Sequence, residues 1–254
     1  MREEKICIYC NSTFWGEENE EFCADRCLES IKRENDHIAV GHLLDYLNDR
    51  LQLSSAFNVT IGPMLKARTL LQKERIVEVD QLAETAFWVE KGYGRYFIKV
   101  KDREGLPMEV TIDFCKPKRI LVISECFFNG QLCTYYVEMA KGSVIVPFSR
   151  SHFDVVKWTA PEAEALAVKI LALEKLESLE KMEMLKMKPR DRYQEFLRIF
   201  GVGVEQFVAI KDIASYLGMV PTYLSRLRGE VNGGMERKVS VVLFFVFRCW
   251  LGLI

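Results

Sequence analysis

The feature that most constrains this chain is a stretch of 26 residues, from Glu162 to Met187, that contains neither glycine nor proline. This length predicts one long α-helix, because strands seldom exceed about ten residues. Pro161 precedes the stretch, where its missing N–H is harmless, and Thr159 and Glu162 fit the pattern of a capping box. The helix therefore separates an earlier part of the chain from a later one.

Short β-strand patterns fill much of the earlier part. Residues Glu109 to Phe114 alternate strictly, which predicts that Val110, Ile112 and Phe114 lie on one face of a strand. Turn-forming residues such as Lys91-Gly92 separate the segments. We predict an antiparallel roll built from Thr85–Glu90, Gly94–Lys101, Glu109–Phe114, Ile120–Ile123, Thr134–Glu138 and Ser143–Pro147.

The later part contains two short helical patterns joined by a tight turn. Lys211 to Leu217 predicts the first helix, Pro221 to Arg228 predicts the second, and Gly218 suits the turn between them. Apolar spacing predicts a small shared core of Ile213, Leu217, Leu224 and Leu227. The pattern is that of a helix-turn-helix, although a helical hairpin used only for packing is the alternative.

The remaining side chains of the second helix suit double-stranded DNA. Side chains near the start of such a helix reach base edges in the major groove, where arginine can bond guanine. From Lys186 to Lys238 ten basic residues accompany six acidic ones, whereas the whole chain carries a net charge of −1. We predict phosphate contacts from Lys211 and Arg228, and a DNA-facing set of Thr222, Tyr223, Ser225 and Arg226.

Four of the eight cysteines cluster near the start as Cys7, Cys10, Cys23 and Cys27. Two residues separate the first pair and three separate the second, so the four thiols predict a tetrahedral Zn²⁺ site. Four unrelated buried thiols are the alternative. The segment resembles a small zinc-ribbon or treble-clef module. Its acidic charge favours a structural or protein-binding role over contact with phosphate.

The apolar stripe of the long helix, at Leu166, Ile170, Leu173 and Leu176, is typical of a helix that pairs with its twin in a homodimer. Packing on its own domain is the alternative. We therefore expect an α+β chain with a zinc module at 1–35, a helical connector at 36–64, a β-roll at 65–158, a dimerisation helix at 159–188, a helix-turn-helix domain at 189–234, and an apolar tail at 235–254.

In this order, the segments resemble the catabolite-activator/FNR (Crp/Fnr) family of transcription regulators. The resemblance rests on Phe87–Gly92 with the strands that follow, on Lys211–Gly218, and on Pro221–Arg226. It implies a homodimer, an effector pocket inside a cyclic-nucleotide-binding-like roll, and operator half-sites one helical turn apart. It also implies that Arg226 reads a base.

The effector pocket departs from the family pattern. The family's phosphate cassette has Gly-Glu and then Arg-Ser, and this chain has Ser124-Glu125 and then Cys133-Thr134. Burying a phosphate without its cation is costly, so this departure argues against the binding of cyclic AMP and leaves open whether the roll binds any effector.

Other functional classes fit the sequence less well. Three histidines, no nucleophile motif and no phosphate-binding glycine loop argue against an enzyme. The opening residues lack an apolar run of signal-peptide length, so we expect a cytoplasmic protein without membrane association. The main alternative is an adaptor in which the zinc module and a degenerate roll bind other proteins.

Overall fold

The computed structural model describes residues 3–7, 12–17, 20 and 25–230, which form two compact units. The described residues up to Tyr96 and those of Phe114–Lys175 form the first unit, and Phe97–Asp113 with the described residues from Leu176 onward form the second. Helices and antiparallel strands are both present, which confirms the mixed fold class. The predicted apolar tail at 235–254 lies outside the described residues.

The first unit opens with a hairpin of β1 (Glu3–Ile6) and β2 (Thr13–Gly16), followed by α1 (Asp25–Asn48). Helix α1 continues through the predicted domain boundary at residue 35. Its sequence holds no proline, and Ala39, Leu43 and Leu47 recur every four residues on one buried face. Packing of that face explains why the helix does not stop at the boundary.

Two four-stranded sheets form the predicted roll, with strand orders β3-β10-β5-β8 and β4-β9-β6-β7. The strands are β3 (Arg68–Thr69), β4 (Glu74–Val77), β5 (Thr85–Lys91), β6 (Gly94–Lys101), β7 (Pro107–Cys115), β8 (Arg119–Leu121), β9 (Tyr136–Met139) and β10 (Val144–Ser149). The predicted strand at 120–123 is shorter than expected, because the chain turns into a helix at Ser124.

Both faces of the β3-β10-β5-β8 sheet are buried. Side chains alternate along a strand, so Val89 and Ile145 lie in the core between the sheets, whereas Trp88 and Val146 lie in a second core on the other face. Helices supply the rest of that second core. They are α1, α2 (Ser55–Ile61), α4 (Arg150–Thr159) and the first half of α5 (Glu162–Lys186), while α3 (Ser124–Phe127) is a single turn.

The turn between β5 and β6 requires glycine. Gly92 has φ +90°, and a Cβ atom there would lie 2.1 Å from the Ser143 hydroxyl oxygen. The predicted turn at Lys91-Gly92 is therefore confirmed. It requires glycine both because of its backbone conformation and because Ser143 leaves no room for a side chain.

Helix α5 confirms the predicted long helix, but the predicted capping box is wrong. The Thr159 hydroxyl donates hydrogen bonds to the carbonyls of Val155 and Val156, within the last turn of α4. The Glu162 carboxylate instead accepts a hydrogen bond from the backbone N–H of Ser54, at 2.9 Å. Ser54 is the residue that precedes α2. This interaction lowers the pKa of Glu162.

The second unit combines the tip of the β6–β7 hairpin with the second half of α5, α6 (Pro189–Phe200), α7 (Val204–Phe207), α8 (Ile210–Tyr216) and α9 (residues 221–230). Within it, the Lys181 ammonium lies 2.8 Å from the Asp113 carboxylate. The Thr111 N–H donates to the Ser215 hydroxyl at 3.0 Å. Burial first, and then the Asp113 carboxylate, raise the pKa of Tyr216.

Burial along β7 differs from the prediction made from strict alternation. Phe114 is buried and Val110 is half-buried, but Ile112 is 40% exposed and Thr111 is buried. The backbone N–H of Thr111 donates to the Ser215 hydroxyl, so α8 lies against this position of the strand.

Candidate nucleic-acid interface and effector pocket

The turn between α8 and α9 has the geometry that the sequence predicts for a helix-turn-helix. Gly218 has φ +62°, and the Met219 N–H donates to the Ala214 carbonyl at 2.9 Å. Ala214 is fully buried, which leaves room for the two helices to approach. The Arg192 guanidinium of α6 donates to the Leu217 carbonyl at 2.5 Å and so holds the turn from outside.

The two helices share the predicted apolar core. Each of its four members is at most 3% exposed. This set, predicted from spacing and confirmed here, comprises Ile213, Leu217, Leu224 and Leu227. Because Leu224 and Leu227 face inward on α9, the intervening and preceding positions face solvent.

The outward face of α9 carries the predicted base-reading side chains. Thr222, Ser225 and Arg226 are exposed, and Tyr223 is half-buried. The Arg226 guanidinium lies 5.1 Å from the centre of the Tyr223 ring and 3.9 Å from the Glu230 carboxylate. An exposed ion pair of this length contributes little to stability, so the Arg226 side chain can exchange it for another partner at small cost.

The two predicted phosphate contacts differ in their surroundings. Lys211 is exposed at the start of α8. Arg228 instead makes a 2.9 Å ion pair with Glu205, whose carboxylate also accepts the Tyr193 hydroxyl at 2.6 Å. Burial, together with Glu205, raises the pKa of Tyr193. Arg228 therefore already serves this internal cluster, and Lys211 is the better candidate for phosphate.

In the roll, the predicted effector residues lie around α3. The Glu125 carboxylate accepts hydrogen bonds from the Tyr135 hydroxyl at 3.1 Å and from the Ser124 hydroxyl at 3.3 Å. Burial and the neighbouring Glu125 raise the pKa of Tyr135. Thr134 is exposed. Each oxygen of the Glu125 carboxylate thus already accepts one hydrogen bond from a neighbouring protein side chain.

Cys133 stands where the family pattern has a cationic side chain, and its surroundings keep it neutral. It is 1% exposed, and its sulfur lies 2.9 Å from that of Cys126. Burial first, and then the hydrogen bond to Cys126, raise the pKa of the Cys133 thiol to about 12. The position therefore offers a phosphate no positive charge.

The predicted zinc ligands fall only partly within the structure. Cys7 follows β1 and is fully buried, and Cys27 is buried in the first turn of α1. Cys10 and Cys23 lie outside the described residues. Among the residues that are described, no group of three or more His, Cys, Asp or Glu side chains could hold a metal ion. The Cys₄ site stays a prediction.

The predicted dimerisation stripe on α5 is wrong in its first half. Leu166 is buried and Ile170 is half-buried, and both pack in the core of the first unit. The exposed apolar positions follow another line of the same helix, spaced by three or four residues. They are Ala165, Val168, Ala172, Leu176, Leu179 and Met182. Leu173, which the stripe included, is 37% exposed and lies between the two faces.

No protein-family model and no curated protein sequence matches the chain. Solved structures do share its fold. FixK2 from Bradyrhizobium japonicum is 17% identical with a TM-score of 0.52, over 67% of this chain and 85% of that protein. A candidate crp/fnr-family transcriptional regulator from Eubacterium rectale is 16% identical with a TM-score of 0.51, over 69% and 82%.

A cyclic nucleotide-binding domain containing protein from Listeria monocytogenes is 15% identical with a TM-score of 0.50, over 70% of this chain and 90% of that one. These structural neighbours include a transcriptional regulator of the crp/fnr family and a protein that contains a cyclic nucleotide-binding domain, and their likeness to this chain is one of fold. None of the helices in the described part of the chain has the length and apolar character needed to cross a lipid bilayer.

Proposed function

We propose that this chain is a homodimeric, sequence-specific DNA-binding transcription regulator of the Crp/Fnr type that does not respond to cyclic AMP. One observation carries the proposal. Helix α9 buries Leu224 and Leu227 while it exposes Thr222, Ser225 and Arg226, as a recognition helix in the major groove requires. The shared fold supports the same role, and it gives no support to an enzyme.

The exposed apolar line of α5 supports a homodimer. Val168 is 66% exposed and Leu176 is 62% exposed on a helix whose opposite side is packed in its own core. Positions spaced by three and four residues are those that meet across a pair of helices. A second copy of α5 would cover this line and place two recognition helices in one assembly.

The test compares two substitutions in the DNA-binding domain. Duplexes selected by the purified protein are titrated at several salt concentrations, beside scrambled duplexes. Arg226→Ala should weaken binding of the selected duplex by about 1–3 kcal/mol and relax preference at one base pair per half-site. Lys211→Ala should weaken both duplexes alike and flatten the salt dependence. Arg33→Ala, which removes an exposed arginine of α1, is the control.

The results of these titrations distinguish base recognition by α9 from the alternatives. If Arg226→Ala weakens both duplexes equally, α9 does not read bases. If neither substitution matters and no duplex is selected, the DNA-binding proposal fails, and the chain is better described as a protein-binding adaptor. If Arg33→Ala weakens DNA binding as much as Lys211→Ala does, the effect of Lys211 comes from net charge and not from a phosphate contact at that position.

We also propose one Zn²⁺ per chain, held by Cys7, Cys10, Cys23 and Cys27. The cysteine spacing supports it, and so does the burial of Cys7, at the end of a short hairpin strand, and of Cys27 in α1. Elemental analysis should give stoichiometric zinc that Cys23→Ser removes while the roll stays folded. Zinc retained by Cys23→Ser, or absent from the wild type, contradicts the site; Cys115→Ser is the control.

A further inference from the structure

A cavity of about 90 Å³ lies in the first unit, outside the roll. It lies between the outer face of the β3-β10-β5-β8 sheet and helices of the same unit, and it is partly open to solvent. Trp88 and Val146 of the sheet line it, whereas Cys133 lies in the core on the other face. The cavity is therefore distinct from the effector pocket that the family resemblance implies.

The wall of this cavity is apolar throughout. All of its lining residues are Ala, Val, Leu, Ile, Phe or Trp. The one side-chain N–H among them, on the Trp88 indole, donates to the Glu90 carboxylate at 3.0 Å. A polar or charged group placed inside would find no partner on the wall, so the occupant must be uncharged and apolar.

One end of the cavity reaches toward the surface. Phe128, Phe148 and Phe153 line it and are only half-buried, whereas Phe57 and Trp88 are at most 3% exposed. The rings of Phe128 and Phe153 meet edge to face, with their centres 5.7 Å apart. Such rings can move aside by side-chain rotation, which gives a small molecule a route to the buried end.

We propose that this cavity binds an uncharged, apolar small molecule of the size of an aromatic ring or a short alkyl chain. Protein interiors seldom keep voids larger than a water molecule. Apolar cavities of about 150 Å³ in other proteins stay dry and take up benzene or xenon. The binding claim goes beyond the proposed function and does not depend on DNA recognition.

The test uses toluene and phenol, which are nearly equal in shape but differ in a hydroxyl group. Toluene should raise the unfolding temperature of the full chain saturably. Phenol should bind at least about tenfold more weakly, because the wall offers its hydroxyl no partner. Ala167 of α5 lines the cavity, so Ala167→Phe should abolish the toluene effect. Val155→Phe, at an exposed position of α4 that does not line the cavity, should keep it.

Ile170→Phe is a second filling variant, to be used if Ala167→Phe does not fold. A saturable toluene shift in the wild type and Val155→Phe, lost in the filled variant, supports the site. No toluene shift, equal affinity for phenol, or an unchanged shift in a filled variant that folds each overturns it. DNA binding measured on the same samples shows separately whether the proposed regulator function stands.

Discussion

At the scale of single residues, Cys133 decides what the roll can hold. Its thiol is buried beside Cys126 and stays neutral well above physiological pH. A cyclic-nucleotide phosphate in the cassette would need a cation there to offset its desolvation. We therefore expect calorimetry with cyclic AMP to give no binding in the micromolar range. A micromolar dissociation constant would contradict this and would mean that another cation reaches the phosphate.

The same thiol makes stability depend on pH. In the unfolded chain a cysteine titrates near pH 8.5. In the folded chain, burial and the hydrogen bond to Cys126 raise the pKa of the Cys133 thiol to about 12. Because the folded pKa is raised, its contribution to stability is fully present below about pH 8.5 and is lost as the pH rises toward 12. Between those values the unfolding free energy of the wild type should fall more steeply than that of Cys133→Ala.

Denaturant titrations at a series of pH values measure this slope. Thr134→Ala, at the exposed neighbouring position, should keep the wild-type slope. Parallel curves for the wild type and Cys133→Ala would show that the thiol titrates alike in both states.

Residue spacing predicted the inner side of the helix-turn-helix well. Leu224 and Leu227 were predicted to be buried and Arg226 exposed, because a short amphipathic helix has only one way to place them. The bonds from Arg192 to the Leu217 carbonyl and from Arg228 to Glu205 were not predicted. Their partners are far apart in sequence, and only the packed domain brings them together.

At the scale of elements, α5 shows what the spacing of apolar residues can and cannot predict about a helix. The absence of glycine and proline fixed its existence and length, and the structure confirms both. Its apolar residues are spread around the helix, so the sequence could not tell which of them its own domain covers. Leu166 and Val168 look equivalent as apolar residues, yet one is 4% exposed and the other 66%. The predicted capping box was wrong for a similar reason. The sequence could not show that the Glu162 carboxylate accepts a hydrogen bond from Ser54, which is far away along the chain.

The exposed line of α5 makes dimerisation testable. Val168→Glu places a charge in the centre of the proposed helix pair, where burying it without a partner is costly. Analytical ultracentrifugation should find this variant monomeric at concentrations where the wild type is a dimer. Val155→Glu is the control, because Val155 is an exposed valine of α4. If Val168→Glu remains a dimer, the contact between copies lies elsewhere.

At the scale of the whole molecule, the two proposals for α5 and α9 combine into one prediction about DNA. A homodimer with two-fold symmetry carries two copies of α9, so its operator should be an inverted repeat. Recognition helices of such dimers bind half-sites whose centres lie about 10 base pairs apart, or a multiple of that. The selected duplexes should therefore show two symmetric half-sites with this spacing.

Changing the spacing tests the prediction directly. Inserting about 5 base pairs turns one half-site to the opposite side of the duplex, so that only one copy of α9 can bind. The affinity of the wild type should then fall to that of the Val168→Glu variant on the original duplex. The monomeric variant itself should bind the original and the lengthened duplex alike. An operator without symmetry, or equal wild-type affinity for both duplexes, would mean that one copy of the chain recognises DNA alone.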